Sequence, residues 1–328
     1  MKVGYVPGDG VGPEVLSVAR AVVDATGVGV EWLDAEAGLA CHARTGAWLP
    51  EATLAACREA DAVLFGAITS PLGDATYRSP ILALRLALDL YANVRPARDW
   101  GQPCLQPGID LVVVRENTEG MYNAPEDEDV DGVTTRRRVT RRGCERIVRA
   151  ALDVAAARPA KRVLCAHKAN VLRRSDQLFL DAFRAEADRR PDLRASDGLI
   201  DSVAMDVVRS PSRFDTIVTL NLYGDVLSDV AAGVAGGLGF APSGSYGPRH
   251  ALFEPVHGSA PDIAGKGVAN PCAAVLSAAM MLRHLGRAKE ADRVEAAVRV
   301  ALAQGRTADA GGSLGTRAFE RLVLAGVA

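Results

Sequence analysis

A two-domain α/β fold with a largely parallel sheet follows from three features of the 328-residue sequence. Short β-rich runs alternate with longer stretches of helical period, the pattern of strand–helix–strand units. Proline opens three of the helical stretches, at positions 13, 50 and 80, where a first helical turn tolerates the missing N–H. At about 150 residues per domain, the length suits two domains with sizeable cores.

The elements follow in order. Strands are predicted over 2–6, 28–33, 62–67, 110–114, 162–166 and 215–219, and helices over 13–25, 50–60, 80–88 and 143–157. The last third reads as helical, with Asn270-Pro271 opening an alanine-rich helix and an amphipathic helix following over 288–302. Residues 244–248 are the best late linker. The segment 123–142 departs from the pattern, because an acidic half (Glu126 to Asp131) precedes a basic half (Arg136 to Arg142). A solvated β-hairpin or arm reaching toward a partner subunit accounts for it better than a phosphate-binding patch, since no aromatic residues interleave the arginines.

Composition excludes several classes. Lysine plus arginine total 38 against 40 acidic residues, a net charge of −2, which gives no global drive toward nucleic acid or an anionic membrane. Hydrophobic content of 48% with 24% charged residues excludes a mainly disordered chain. The longest apolar stretch, 272–282, is too short to cross a bilayer. No signal-peptide core is visible, and the six cysteines are scattered with no C-x-x-C pair, so a cytoplasmic protein with reduced thiols is expected.

Gly8-Asp9-Gly10-Val11-Gly12-Pro13 follows the first strand but fails the dinucleotide pattern G-x-G-x-x-G. Position 13 is proline, and Asp9 puts a carboxylate where a pyrophosphate must sit. Asp225 and Asp229 are spaced to share one helix face. That spacing reads either as a solvated face or as hard oxygen ligands for Mg²⁺ or Mn²⁺. Arg85, Arg95 and Arg115 are candidates for bidentate binding of a di- or tricarboxylate. Arg115 directly follows a buried strand, at the sheet edge where α/β proteins place ligands. Tyr122, Lys168 and Asp201 are candidates for proton chemistry. His257 lies in a loop crowded with small residues, which suits either a plain surface loop or close approach to a phosphate or adenosine.

As a set, 8–12, 89–96, 114–122, 167–170, 221–229 and 253–271 resemble the β-decarboxylating dehydrogenases, which act on isocitrate, 3-isopropylmalate, homoisocitrate and tartrate or malate. The resemblance spans essentially the whole chain. It implies the two-domain isopropylmalate/isocitrate dehydrogenase-like fold, with non-Rossmann α/β/α layers and a β arm for dimerisation. Residues 1–98 and 243–328 would form a discontinuous cofactor-binding domain, and 99–242 a central substrate, metal and dimerisation domain. Arg85, Arg95 and Arg115 would hold the substrate carboxylates. Asp225, Asp229 and Asp201 would ligate Mg²⁺ (or Mn²⁺), with Asp201 from a neighbouring subunit. Lys168, also from the neighbour, would take part in removing the C2 hydroxyl proton, and Tyr122 would protonate the enol carbon after CO₂ leaves. Asn170 would sit by substrate and nicotinamide.

The resemblance further implies an NAD site formed by Thr69, Glu254, His257, Gly258, Ser259, Ala260, Asp262, Ile263 and Asn270. Asp262-Ile263 stands where NADP-dependent relatives place Lys-Tyr; a carboxylate there favours NAD over a 2′-phosphate. Substrate choice is expected in Arg78, Ser79, Ile81 and Leu82. The run Ser79 to Arg85, followed by Leu90 to Pro96, looks most like homoisocitrate dehydrogenases of lysine biosynthesis, with Ile81 or Leu82 packing the extra methylene and Ser79 or Arg78 meeting the distal carboxylate. Some bacterial homoisocitrate enzymes carry Arg where this chain has Leu82. Isocitrate is the next expected substrate, then 3-isopropylmalate. A homo-oligomer with shared active sites is expected, with no nucleic acid or membrane partner.

Overall fold

The computed structural model describes residues 1–71, 73–74 and 76–327, and the chain divides into two compact units. One comprises Met1–Leu90, Trp100–Pro103 and Gly236–Ala328, the other Tyr91–Asp99 and Cys104–Ala235. The first crossing falls after Leu90 because residues 92–98 form a ladder with 110–116 in the second unit.

In the first unit, β1 (Lys2–Gly8), β2 (Glu31–Asp34), β3 (Ala62–Ala67), β11 (Pro242–Tyr246) and β12 (Ala251–Pro255) lie in the order β2-β1-β3-β12-β11. Neighbours are parallel except for the β11/β12 hairpin. The core lies where α1 (Gly12–Ala25), α9 (Cys272–His284), α10 (Ala288–Gln304) and α11 (Thr316–Val327) meet. The helix α9 is buried along almost its whole length, as an alanine-rich helix without a polar face must be.

In the second unit, β4 (Ala92–Arg98), β5 (Asp110–Glu116), β8 (Arg162–His167), β9 (Arg194–Leu199) and β10 (Thr216–Thr219) run in the order β4-β5-β10-β8-β9, all parallel except β4 against β5. Leu111, Val113 and Ile217 pack under α7 (Ile200–Arg209) and α8 (Asn221–Val234), while α5 (Arg141–Ala156) packs on β5, β8 and β10 and α6 (Ser175–Ala187) lies against α5. The carboxyl ends of β5, β8 and β10 are level, with Thr219 opposite Arg115 on one side and Ala166 on the other.

Two expectations need correction. The 244–248 linker is largely strand: Gly244 to Tyr246 lie in β11, and Ser243 and Ser245 are wholly buried, because the hairpin to β12 occupies this stretch. The second strand starts at Glu31 rather than at residue 28, since Gly27 turns with φ +78° and residues 28–30 are irregular. The 123–142 segment does contain a hairpin, β6 (Glu126–Glu128) against β7 (Val133–Thr135), with Val130 fully exposed at its tip. Arg136 pairs with Asp127, and Arg137 with the buried Asp176, so two of the arginines that suggested a phosphate-binding patch are already neutralised.

Candidate active site

The helix α8 begins one residue after β10, which puts its first two turns at the level of Arg115. Asp225 and Asp229 share a face, and Nη1 of Arg95 lies 3.1 Å from Asp225 Oδ1 and 3.4 Å from Asp229 Oδ1. The Arg115 guanidinium pairs with Asp225 Oδ1, and Tyr122 donates its hydroxyl to Oδ2 of the same carboxylate. The Arg115 guanidinium also stands 4.7 Å over the Tyr122 ring. Five sequence candidates therefore meet in one cluster: Arg95, Arg115, Tyr122, Asp225 and Asp229. Burial, followed by the hydrogen bond to Asp225, raises the Tyr122 pKa, so the phenol keeps its proton. Burial likewise raises Asp229, with Arg95 pulling against it.

Neighbours of the arginines that were not singled out complete the cluster. Arg95 donates Nε to Asn93 Oδ1 at 2.6 Å and Nη1 to Ser228 at 2.9 Å. Arg115 donates Nε and Nη2 to Asn221 Oδ1 at 3.0 and 2.8 Å. Asn221 and Ser228 lie inside the 221–229 motif, so the signal was present; which arginine each holds depends on strand register.

Lys168 and Asp201 form a second group. Lys168 follows β8, its backbone N–H bonded to Asp176, and its Nζ meets Asp201 Oδ1 at 2.6 Å in the first turn of α7. That hydrogen bond lowers the Asp201 pKa. Among the described residues no three His, Cys, Asp or Glu side chains converge as metal ligands, so Asp201 does not complete a triad with Asp225 and Asp229 within one chain. Those two, as hard oxygen donors on one face, fit a divalent cation that takes further ligands from elsewhere. Asn170 sits in an exposed turn two residues on.

In the first unit, Arg85 on α4 (Pro80–Ala87) makes a buried ion pair with Glu254 on β12 at 3.0 Å. The buried Nε of Arg85 has no protein partner. Ser79 caps α4, its hydroxyl accepting from Leu82 N at 3.4 Å, and Arg78 bonds the Tyr77 carbonyl. Ile81 packs against the cluster of Phe65, Leu84 and Leu88, and Leu82 is half-buried.

A cavity of about 320 Å³ in the same unit is lined by His257, Gly258, Ala260, Ile263 and Asn270, together with Val11, Leu238 and Asp309. His257 Nδ1 bonds the Gly258 carbonyl, which leaves Nε2 as an acceptor, buried and without a partner. Burial lowers the His257 pKa, so the ring is neutral. Asn270 accepts from Cys272 N through Oδ1, while its Nδ2 is buried and unpartnered. One orphan acceptor and one orphan donor on one cavity fit a heteroaromatic base edge such as adenine. Asp309, which donates no sequence pattern of its own, anchors Asn270 by accepting from its backbone N–H at 2.8 Å.

The loop behind this cavity docks on the glycine-rich turn. Val11 N donates to Ser259 O at 2.8 Å, and Thr69 Oγ1 to Ser259 Oγ at 2.7 Å. Gly10, at φ +59°, has no room for a Cβ, which would stand 1.9 Å from the Ser259 carbonyl oxygen. Asp9 is buried and accepts from the backbone N–H groups of Leu39, Ala40 and Thr69 at 3.0 to 3.3 Å. Its carboxylate thus staples three segments. Glu254 is buried in its ion pair, and Asp262 is exposed on the same loop as His257.

The fold and this cluster define a β-decarboxylating dehydrogenase, and residues 2–323 match the isocitrate/isopropylmalate dehydrogenase family, to which the chain belongs. It is 50% identical over 325 residues to an isocitrate/homoisocitrate dehydrogenase of Thermus thermophilus, covering 98% of this chain and 97% of that protein. A 3-isopropylmalate/3-methylmalate dehydrogenase of Methanocaldococcus jannaschii is 48% identical, covering 96% and 95%. The crystal structure of isocitrate dehydrogenase from Methylococcus capsulatus matches with a TM-score of 0.96 at 43% identity, covering 99% of each chain. Members of the family use a nicotinamide dinucleotide and a divalent metal. No helix among the described residues is long and apolar enough to cross a membrane.

Proposed function

We propose that this chain oxidises and decarboxylates homoisocitrate, giving 2-oxoadipate, CO₂ and NADH from NAD⁺ with Mg²⁺, as a step of lysine biosynthesis through α-aminoadipate. The observation that carries the chemistry is the cluster of Tyr122, Arg95 and Arg115 around Asp225 and Asp229. Asp225 and Asp229 would hold the divalent cation and the cavity lined by His257 and Asn270 the nicotinamide dinucleotide, which when bound would supply electrostatic stabilisation at the C2 oxygen and a hydride acceptor. Arg85, Arg95 and Arg115 hold the substrate carboxylates. Lys168 moves the C2 hydroxyl proton. Tyr122, protonated at neutral pH, delivers a proton to the carbon that has lost CO₂.

Two features support the substrate. Ser79 and the half-buried Leu82 stand at the start of α4, a polar cap beside an apolar wall suited to a longer tricarboxylate. Leu82 stands where some bacterial homoisocitrate enzymes carry arginine, and isocitrate is the alternative substrate; the Thermus relative carries both names. Asp262 and the neutral His257 and Asn270 groups support NAD⁺. A second copy of the chain completes the site with its Asp201 and Lys168. Met205 and Val208 on α7, and Leu222 and Val226 on α8, are exposed apolar residues on the helices that carry the metal-binding candidates, a surface suited to such a copy.

The test is NADH formation, comparing kcat/KM for homoisocitrate, isocitrate and 3-isopropylmalate. A higher value for homoisocitrate supports the proposal. A higher value for either other acid keeps the chemistry and overturns the reading of Arg78 to Leu82.

A further inference from the structure

The two arginines of the second unit's cluster are held in the same unusual way. Each places its Nε edge against a neutral amide oxygen, Arg95 on Asn93 and Arg115 on Asn221, although Asp225 stands within reach of both guanidinium groups. Arg115 is the more constrained of the two, 1% exposed, with both Nε and Nη2 on Asn221 Oδ1. Asn221 cannot drift, because it is buried and its Nδ2 donates to the Glu119 carbonyl at 2.8 Å. One helical turn on, Gly224 leaves room for the Arg115 stem; a Cβ there would stand 2.6 Å from Arg115 Cγ.

We propose that Asn221 is a positioning residue for the reaction: seated between the Glu119 carbonyl and Arg115, it aims the guanidinium at a substrate carboxylate without adding a negative charge of its own to that of Asp225. This rests on the reading that Arg115 binds a substrate carboxylate. The physical case is one of alternatives. An aspartate at 221 accepts the same two hydrogen bonds but sets a second negative charge against the guanidinium, reducing its attraction for an anion. An apolar residue of the same size removes the acceptor from Nε and Nη2, so the fork is held from the Asp225 side without its anchor on Asn221. Only a neutral acceptor both orients and preserves the charge.

Asn221→Asp and Asn221→Leu separate these effects. Three readouts are needed: KM and kcat for the acid the wild type turns over best, the NADH dissociation constant by fluorescence, and the ¹⁵N resonance of the Arg115 Nε–H group in labelled protein. Both variants are expected to raise KM by about tenfold to a hundredfold, the loss that follows from a charged hydrogen bond. The Arg115 Nε–H resonance should stay slow to exchange in Asn221→Asp and become fast in Asn221→Leu, with NADH affinity at the wild-type value in both. A merely structural role would weaken NADH binding together with KM. Wild-type KM in Asn221→Asp overturns the charge argument, and an unchanged resonance in Asn221→Leu overturns the positioning argument. If Asn221→Leu does not fold, Asn221→Ser, too short to reach both donors, replaces it. A wild type that oxidises none of the three acids overturns the functional reading instead, and the resonance still decides whether Asn221 holds Arg115.

Discussion

Tyr122 and Arg115 occupy the two oxygens of a single carboxylate, that of Asp225, so a phenol proton and a guanidinium charge are fixed a few ångströms apart by one side chain. Removing the phenol hydroxyl should therefore lower turnover while leaving the arginine in place. Tyr122→Phe is expected to reduce kcat by about 10²-fold or more, the usual contribution of a positioned acid, with little change in KM. Steady-state kinetics at saturating NAD⁺ checks this; an unaltered kcat removes Tyr122 from proton delivery.

Asp225 also joins Arg95, and it faces Asp229 one turn along α8. Asp225→Asn should weaken Mn²⁺ binding, read by the loss of the free-ion electron paramagnetic resonance signal on titration, and should abolish NADH formation. Normal Mn²⁺ affinity would remove the metal assignment.

The Arg85–Glu254 pair is buried on both sides, with side chains 8% and 11% exposed. Glu254→Gln strands a guanidinium whose Nε already lacks a partner, so a loss of about 3–5 kcal/mol is expected in chemical denaturation. The double replacement Arg85→Met with Glu254→Leu should recover most of it, because the desolvation cost of both ions disappears. Recovery failing in the double variant would show that the pair itself, rather than the uncompensated charge, provides the stability.

Burial depresses the pKa of His257 below its ordinary value near 6.5. Between the folded and unfolded values the unfolded chain binds the extra proton, so stability rises with pH there and falls as the solution is acidified below 6.5. Above 6.5 the ring is neutral in both states and contributes no slope. His257→Gln should flatten the stability profile between pH 5 and 6.5 by at most about 1.4 kcal/mol per pH unit. Unfolding curves at a series of pH values test this, and an identical slope in the variant excludes His257 as the source.

The sequence made the repeating βα core plain, because β3 and β5 are apolar runs and α1 carries a proline start and a regular apolar face. It concealed β9, a polar edge strand whose first four residues are exposed and whose side chains show no alternation. It also concealed β4, where Asn93, Arg95 and Pro96 replace the usual β-formers and Arg95 belongs to the candidate site. The same logic governs the candidate site. Arg95, Arg115, Tyr122, Asp225 and Asp229 were recognisable as chemistry. The supporting Asn93 and Asp309 were not, and Asn221 and Ser228 stood inside a recognised motif without a role, because each acts through a neighbour that only strand register or a distant turn brings to it.

The largely buried helix α9 has a consequence for how this chain must be made. Residues 1–90 cannot close their core until 272–284 and the helices after them have left the ribosome, whereas 104–235 form a contiguous stretch. At a synthesis rate of roughly 5–20 residues per second, the first ninety residues wait on the order of ten seconds or more with the apolar surface of α1 and β3 that meets α9 uncovered. The nascent chain therefore finishes its middle before its beginning. That interval is when it is most exposed to misassembly and most in need of a chaperone.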